Sequence, residues 1–367
     1  MSGSNRRCWQ GLPLTWPSLL VLPSRPPKLV YLDLLHWINL AKCDLGQEAP
    51  AGYVELLDAS RAASIGGTVR FVLSDSILME MANIRHPDQR HAVGSLMEEL
   101  TGFSMLLNHG MVSFLELIEV LEGLAPGGPR LLPVPLVASN ASHAMGVQTT
   151  LRLTNAEGLD TTQEVIREQG LAWFEDLQST AGQMLNRGLL HGPTDEELGE
   201  LRTLGYRPEA LRAIASQRLV QEVWLADNLI SNGRDWRRGR LCDVISAREV
   251  AIELGDSITQ WLMPRGLTIG DILEGRDDFR SFVMSLPTVR VSVAIKCEYH
   301  RNPRRRWEQN DIHDIDMASL AVPYCDALFA DKELRDALVR SGVHEDFGTF
   351  LPRRPADLAD WLRVSES

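Results

Sequence analysis

The chain has 367 residues, of which 44% are apolar and 23% are charged, and its formal net charge is −12. This composition is typical of a folded globular protein of about two domains, and it excludes disorder as the dominant state. The acidic balance also argues against a protein that coats nucleic acid through bulk charge, although a local basic patch remains compatible with it.

Membrane insertion and secretion are not indicated by the sequence. No stretch approaches the roughly 18 uncharged apolar residues of a membrane-spanning helix. The best candidate near the N-terminus, residues 12–22, is interrupted by Pro13 and Pro17 and has no small-residue cleavage site. We therefore expect a soluble, cytoplasmic protein without a membrane partner.

The five cysteines are far apart in the sequence and form no CxxC pair, so no zinc-ribbon pattern is present. Their odd number and scattered positions favour reduced thiols.

The first part of the chain reads as an irregular arm followed by an α/β unit. Residues 1–27 are rich in proline, which predicts an irregular or loosely attached arm. From there the apolar spacing predicts, in order, a strand at 28–33, helices at 34–43 and 52–63, a strand at 68–73 and a helix at 76–84. Strands that alternate with helices at this spacing indicate a parallel sheet.

Residues 85–287 show a different pattern, with long helical periodicities and little strand signal. The predicted helices cover 91–107, 112–124, 163–190, 208–230 and 243–262, and Thr194 with Glu197 forms a capping-box pattern before another helix. The proline-rich stretch 126–135 marks an internal linker. We interpret this segment as an all-helical inserted domain.

The α/β pattern returns in residues 288–367. It predicts helices at 289–299, from about 310 to 321, at 332–339 and at 355–362, with strands at 327–330 and near 347–351.

Several acids stand where the carboxyl ends of the predicted strands would meet. Asp33 and Asp331 each end a strand, Glu80 lies on the helix after the second strand, and Asp311, Asp314 and Asp316 crowd the start of a later helix. Ligands bind beyond the carboxyl ends of parallel strands, so we expect these acids to converge there. Carboxylates brought together repel one another, and Mg²⁺ or Mn²⁺ would neutralise them. The alternative is that some of these acids are helix caps or solvated surface groups.

Three segments resemble the PIN-like nuclease superfamily: YLDLLHWINLAK at 31–42, LSDSILMEMA at 73–82 and NDIHDIDMASLAVPYCDALFADKEL at 310–334. The resemblance implies a three-layer α/β/α domain with a central parallel sheet, built from 28–84 and 288–367 around the helical insertion. It also implies a carboxylate site for Mg²⁺ or Mn²⁺ that hydrolyses nucleic acid. The family's acids match Asp33, Glu80, Asp314 and Asp331, whereas Asp311 and Asp316 compete with Asp314 for the third position.

A basic segment lies immediately before the acidic helix. It contains His300, Arg301, Arg304, Arg305 and Arg306, and Lys296 precedes it on the helix before. Arginine binds phosphate oxygens bidentately, so we predict that these residues contact the substrate. Balancing an acidic surface through weak ion pairs is the alternative role.

Two further features are less specific. His36 follows Asp33 by one helical turn, where it would contact substrate or a metal-bound water, or else bond within the fold. A second basic cluster, residues 234–240, fits either nucleic-acid or partner contact or a solvated turn.

The leading hypothesis is a metal-dependent nuclease, with RNA favoured over DNA as substrate. The alternative is a non-catalytic PIN-like binding module that uses the insertion to bind a protein partner or a second copy. An aspartyl phosphatase ranks last, because such an enzyme needs an acid two residues after Asp33, where this chain has Leu35.

Overall fold

The computed structural model describes residues 9–146, 151–193, 208–232 and 239–365. The predicted capping box at Thr194 and Glu197, and most of the basic cluster at 234–240, lie outside the described residues. The strands, numbered in chain order, are β1 Leu20–Val21, β2 Lys28–Leu32, β3 Val69–Val72, β4 Met105–Leu106, β5 Val134–Pro135, β6 Val137–Ala138 and β7 Ala327–Phe329.

The α-helices of the described residues fall into two groups on either side of residue 287. The first group is α1 Leu34–Asp44, α2 Tyr53–Ile65, α3 Asp75–Met81, α4 Pro87–Thr101, α5 His109–Leu124, α6 Ala141–Ala144, α7 Thr162–Gln169, α8 Leu171–His191, α9 Pro208–Asn232, α10 Leu241–Glu249, α11 Gly255–Leu262, α12 Ile269–Ile272 and α13 Arg276–Ser285. The second group is α14 Pro287–Arg301, α15 Gln309–Tyr324, α16 Lys332–Ser341, α17 Val343–Phe347 and α18 Pro355–Val364.

The central strand of the main sheet is β2, which pairs in parallel with β3 on one side and β7 on the other. Tyr31 at its middle is in register with Val72 and Leu328. Nearly every side chain of these strands is buried, which is why they read as continuous apolar runs. The prediction that the three strands share one sheet is confirmed.

Single bridges extend the sheet at both edges. Leu73, just after β3, bridges in parallel to Met105 of β4, and β4 pairs antiparallel with β6. At the other edge Ala327 bridges in parallel to Phe350. The final strand predicted near 347–351 is therefore a single bridge, because α17 occupies the residues immediately before it.

The helix α14 lies at the centre of the packing. It contacts α10, α13, α15 and α16, and all residues from Pro287 to His300 are buried. A helix that is buried on all sides shows no single apolar face. This burial explains why polar residues on α14 have roles that sequence periodicity does not reveal.

The segment 85–287 is not helical throughout, which corrects the prediction of an all-helical domain. It contains the short strands β4, β5 and β6, and its helix α4 packs on α1 and β3. The predicted helix 163–190 is divided at Gly170, whose φ of 92° is unfavourable for other residues. The predicted helix 243–262 is interrupted by a π-helical turn at Val250–Leu254.

The described part of the N-terminal arm is attached to the body, although it is mostly irregular. Trp9 and Leu20 are buried, and β1 pairs with β5. The Arg290 guanidinium also donates to the carbonyl oxygens of Leu12 and Pro13, at 2.9 and 3.0 Å. Of the two alternatives predicted for the arm, its described residues are thus irregular and not loosely attached.

Two further expectations concern thiols and membranes. Cys43, Cys297 and Cys325 are free, but Cys242 is disulfide-bonded, so the prediction of wholly reduced thiols is wrong at that position. Within the described ranges, no helix combines the length and apolarity needed to cross a bilayer.

Candidate functional site

Asp33 and Asp331 lie side by side because they follow the adjacent parallel strands β2 and β7. The Asp33 backbone N–H donates to the Phe329 carbonyl oxygen at 3.0 Å. Each carboxylate also caps the helix that follows it: Asp33 accepts from the Leu35 N–H at 3.4 Å, and Asp331 accepts from the Leu334 N–H at 2.7 Å. Strand pairing and helix capping together fix the positions of both acids.

Glu80 and Asp314 are brought to the same place by two helices in contact, α3 and α15. Burial, followed by the charges of Asp33, Asp331 and Glu80, raises the pKa of Asp314 from 3.8 to about 9. Burial and the charge of Asp33 raise the pKa of Glu80 to about 8. Burial and the charge of Asp331 raise the pKa of Asp33 to about 6. Asp33, Glu80, Asp314 and Asp331 are therefore one electrostatically coupled group, which we call the acidic cluster.

The acidic cluster lacks a neutralising partner among the groups that shift these three pKa values. All charged groups that act on Asp33, Glu80 and Asp314 in this way are carboxylates. Like charges that are packed together and partly desolvated oppose ionisation. A hard divalent cation with oxygen ligands is the ion that such a donor set suits.

In the described part of the chain, no group of three or more His, Cys, Asp or Glu side chains is arranged to hold a metal ion. A complete set of metal ligands is therefore not formed there. Donor chemistry and charge thus fit Mg²⁺ or Mn²⁺, whereas the side-chain positions are those of carboxylates that repel one another.

The three acids at the start of α15 have different partners, which separates their roles. Asp311 belongs to a capping box with Glu308 and is ion-paired with Arg305 at 2.5 Å. Asp316 accepts two bonds from Arg218, at 2.5 and 2.9 Å. Burial alone would raise the pKa of Asp316, but the Arg218 guanidinium holds it below its usual value. Asp314 faces the other carboxylates of the acidic cluster, whereas Asp311, whose charge also raises the pKa of Asp314, is engaged as a helix cap and as the partner of Arg305.

His36 bonds within the fold, which is the second of the two roles predicted for it. The side chain is buried, its Nδ1 lies 2.6 Å from the Tyr53 hydroxyl, and its Nε2 lies 3.2 Å from the Ala330 carbonyl oxygen. The ring stacks on Phe329 with centroids 3.5 Å apart, and burial lowers its pKa to about 4. A neutral His36 thus fixes the backbone immediately before Asp331.

Lys296 and His300, predicted to contact substrate, are also buried in the metal-free protein. Their exposed fractions are 2% and 1%. Lys296 Nζ lies 2.6 Å from a Glu249 carboxylate oxygen, and His300 Nε2 lies 2.8 Å from Glu222. Both side chains are committed to an ion network inside the protein.

The predicted arginine segment divides into engaged and exposed side chains. Arg301 pairs with Glu298, and Arg305 pairs with Asp311 and Glu333 while its guanidinium lies 3.4 Å from the Tyr299 ring centroid. Arg304 and Arg306 are exposed. Only part of the segment is therefore placed to bind an external phosphate.

A surface groove of about 690 Å³ opens beside the acidic cluster and includes Asp331 in its wall. Four cationic side chains also line it, Arg301, Arg305, Lys332 and Arg340, together with three further acids. Two of these acids are paired with three of the cations: Glu298 with Arg301 and Arg340, and Glu333 with Arg305. Guanidinium and ammonium groups beside a carboxylate cluster provide binding positions for phosphate oxygens. We refer to this feature as the phosphate groove.

Several residues that surround the acidic cluster and the phosphate groove were not predicted from the sequence. Asp75 comes shortly after β3, as Asp33 comes after β2. Burial and the charge of Asp316 raise the pKa of Asp75 to about 7. Its carboxylate accepts a hydrogen bond from the Asn108 side-chain amide at 2.7 Å. Its position just after a strand was a usable signal. Lys332 and Arg340 become recognisable only when α16 is folded onto α14.

Comparison with known proteins adds nothing to these observations, since no protein-family model, curated protein or solved structure matches the chain.

Proposed function

We propose that this protein is a metal-dependent nuclease of the PIN-like type that hydrolyses phosphodiester bonds, with RNA favoured over DNA, in the cytoplasm. The observation on which this rests is the acidic cluster. Its carboxylates come from two adjacent strand ends and two contacting helices. Burial and the neighbouring carboxylates raise the pKa values of Asp33, Glu80 and Asp314, and Asp331 lies in the wall of a groove that also holds four cationic side chains.

The order of the sheet supports the same proposal. Asp33 and Asp331 follow adjacent parallel strands, so an acid pair at the sheet's carboxyl edge is built by topology and not by a flexible loop. This is the position where open α/β sheets bind ligands.

The proposed mechanism assigns a task to each group of residues. Asp33, Glu80, Asp314 and Asp331 would hold Mg²⁺ or Mn²⁺, which supplies a more acidic bound water and stabilises the charge of the transition state. The helix caps keep Asp33 and Asp331 oriented. Lys332 and Arg340 would bind the phosphates on either side of the scissile bond.

A second candidate is the non-catalytic binding module. The absence of a formed metal shell among the described side chains favours it. The two candidates differ in whether carboxylate removal affects cleavage, so one experiment separates them.

The test incubates purified protein with labelled single-stranded RNA or DNA, in Mn²⁺ and in EDTA, and compares wild type with Asp314→Asn. We expect cleavage in Mn²⁺ alone and a loss of at least about 100-fold in the variant, since removal of electrostatic catalytic groups typically has this cost. Asp336→Asn is the matched control, because Asp336 also lines the phosphate groove but lies outside the acidic cluster.

Equal cleavage by wild type and Asp314→Asn would contradict the nuclease proposal at this site. Strand binding without cleavage in either metal condition would favour the binding module.

A further inference from the structure

A second cavity adjoins the phosphate groove and has a different chemistry. It measures about 270 Å³ and lies between α9 and residues 302–307. Asn302 and Arg305 line both cavities, so the second cavity continues directly from the first. We call it the side slot.

The walls of the side slot combine apolar surface with charged side chains, namely the cations Arg305 and Arg306 and the acid Asp227. Val223 and Ile230 come from α9 and are 40% and 54% exposed, so they present adjacent apolar surface to the cavity. Pro303 and Arg306 line the opposite wall. An apolar surface facing a guanidinium suits a flat, polarisable ring with polar edges.

The α9 wall is held in place by buried ion pairs and is therefore preorganised. Arg218 bonds to Asp316 on α15, and Glu222 lies 2.6 Å from Arg248 and 2.8 Å from His300. Because Asp316 is two residues from Asp314, the same helix connects the slot wall with the acidic cluster.

We propose that the side slot binds one unpaired nucleobase of a single strand whose backbone lies in the phosphate groove; this inference rests on the proposed function. The backbone phosphates lie against the cations of the groove, and the adjoining base turns into the slot between Val223, Ile230 and Arg306. A duplex keeps its bases stacked and paired, so it cannot place a base there without unstacking. The slot therefore selects single strands.

The closing experiment measures binding of a short, labelled single-stranded RNA to metal-free protein in the Asp314→Asn background. The strand is used intact and as a series of strands that each lack the base at one, different position. Val223→Glu places a carboxylate in the slot, while Val220→Glu makes the same change one turn away on α9, at a residue that is 66% exposed and outside the slot walls.

We expect Val223→Glu to weaken binding of the intact strand by about 5- to 10-fold or more, as loss of one stacked base does, and Val220→Glu to change it less than about 2-fold. Removal of the base at one position of the strand should weaken binding to the Asp314→Asn protein by a similar factor. The same abasic strand should bind to the protein that also carries Val223→Glu as strongly as the intact strand does. Circular dichroism of both variants confirms that α9 is intact.

Equal affinities of the two glutamate variants, or an abasic scan without a sensitive position, would overturn the side slot. The cleavage assay distinguishes this failure from that of the proposed function. If both variants cleave with equal KM, the nuclease proposal is supported and the side slot is refuted. If binding depends on the base but no cleavage occurs, the side slot is supported and the nuclease proposal is refuted. A protein that binds no strand refutes both.

Discussion

At the scale of single residues, neighbouring cations decide what each acid does. Asp311, Asp314 and Asp316 lie within two turns of one helix, yet arginines engage the first and the last. Asp314 is left facing carboxylates, and its pKa rises to about 9. A carboxylate kept out of ion pairs inside a folded protein lowers stability, and acids in such surroundings are common at functional sites.

This arrangement makes the stability of the metal-free protein depend on pH at Asp314. Its pKa is higher in the folded protein than in the unfolded chain, so the folded state binds more protons between about pH 4 and pH 9. The free energy of unfolding therefore falls as pH rises through this range. We expect Asp314→Asn to reduce that fall by about 1–2 kcal/mol, measured by urea denaturation in EDTA at about pH 5 and pH 8.

Asp336→Asn should keep the wild-type pH dependence, because Asp336 lies outside the acidic cluster. Identical pH dependences for wild type and Asp314→Asn would show that Asp314 titrates normally in the folded protein.

Metal addition should reverse this penalty. A ligand that binds only the folded state stabilises it by mass action, about 2.7 kcal/mol at 100 times its dissociation constant. We expect Mn²⁺ to raise the Tm of wild type at about pH 8 and to raise that of Asp314→Asn much less. A Tm of wild type that is unchanged by Mn²⁺ would argue against a metal site.

At the scale of elements, α9 is joined to the rest of the protein by buried charge. Glu222 lies 2.6 Å from Arg248, 2.8 Å from His300 and 3.4 Å from Lys296. Burial alone would raise the pKa of Glu222, but Lys296, His300 and Arg248 hold it below its usual value. Glu222 is therefore shared among several donors, one of which, Lys296, also pairs with Glu249.

Removal of this charge should destabilise the protein strongly. Glu222→Gln leaves Arg248 and Lys296 buried with less compensation, and we expect a loss of about 3 kcal/mol or more in the free energy of unfolding. Asp227→Asn, an exposed acid on the same helix, should change it by less than about 0.5 kcal/mol. Chemical denaturation of both variants measures the difference, and similar values would mean that α9 is held by apolar packing alone.

The elements that could be predicted are those with a strong local pattern. The strands β2, β3 and β7 are continuous apolar runs, and the helix predicted at 34–43 is α1. The two-residue strands β4 and β6 carry no periodicity, and they form because Leu73 presents a free sheet edge to Met105. Interactions between distant residues, which local patterns do not encode, define these elements.

At the scale of the whole molecule, a chain of net charge −12 has to attract a polyanion locally. In the proposed function this attraction is assigned to Lys332 and Arg340 in the phosphate groove. Replacing both by Ala should weaken single-strand binding and reduce the slope of log affinity against log salt by up to about 1.4, or 0.7 for each phosphate contact. Arg354 and Arg363, replaced together, are a control of equal charge on exposed parts of α18 and its cap.

Salt titration of binding to Asp314→Asn protein provides the comparison. If the two double variants have the same slope, the effect comes from net charge and not from the groove.

The acidic cluster was predictable because strand ends and acids are both visible in the sequence, and Asp33, Glu80, Asp314 and Asp331 are indeed coupled. The roles of the cationic side chains were not predictable, because they depend on which of these side chains the fold buries. Lys296 and His300 look like phosphate ligands by their sequence position, but α14 is enclosed on all sides and turns both inward.

The pairing of β2 with β7 joins residues almost 300 positions apart. During synthesis at about 5–20 residues per second, β2 and β3 leave the ribosome about 15–60 seconds before β7 exists. For that time one long edge of an apolar strand has no partner, and edges of this kind attract other chains. The nascent protein should therefore depend on a chaperone, or on temporary cover from its own helices, until translation is nearly complete.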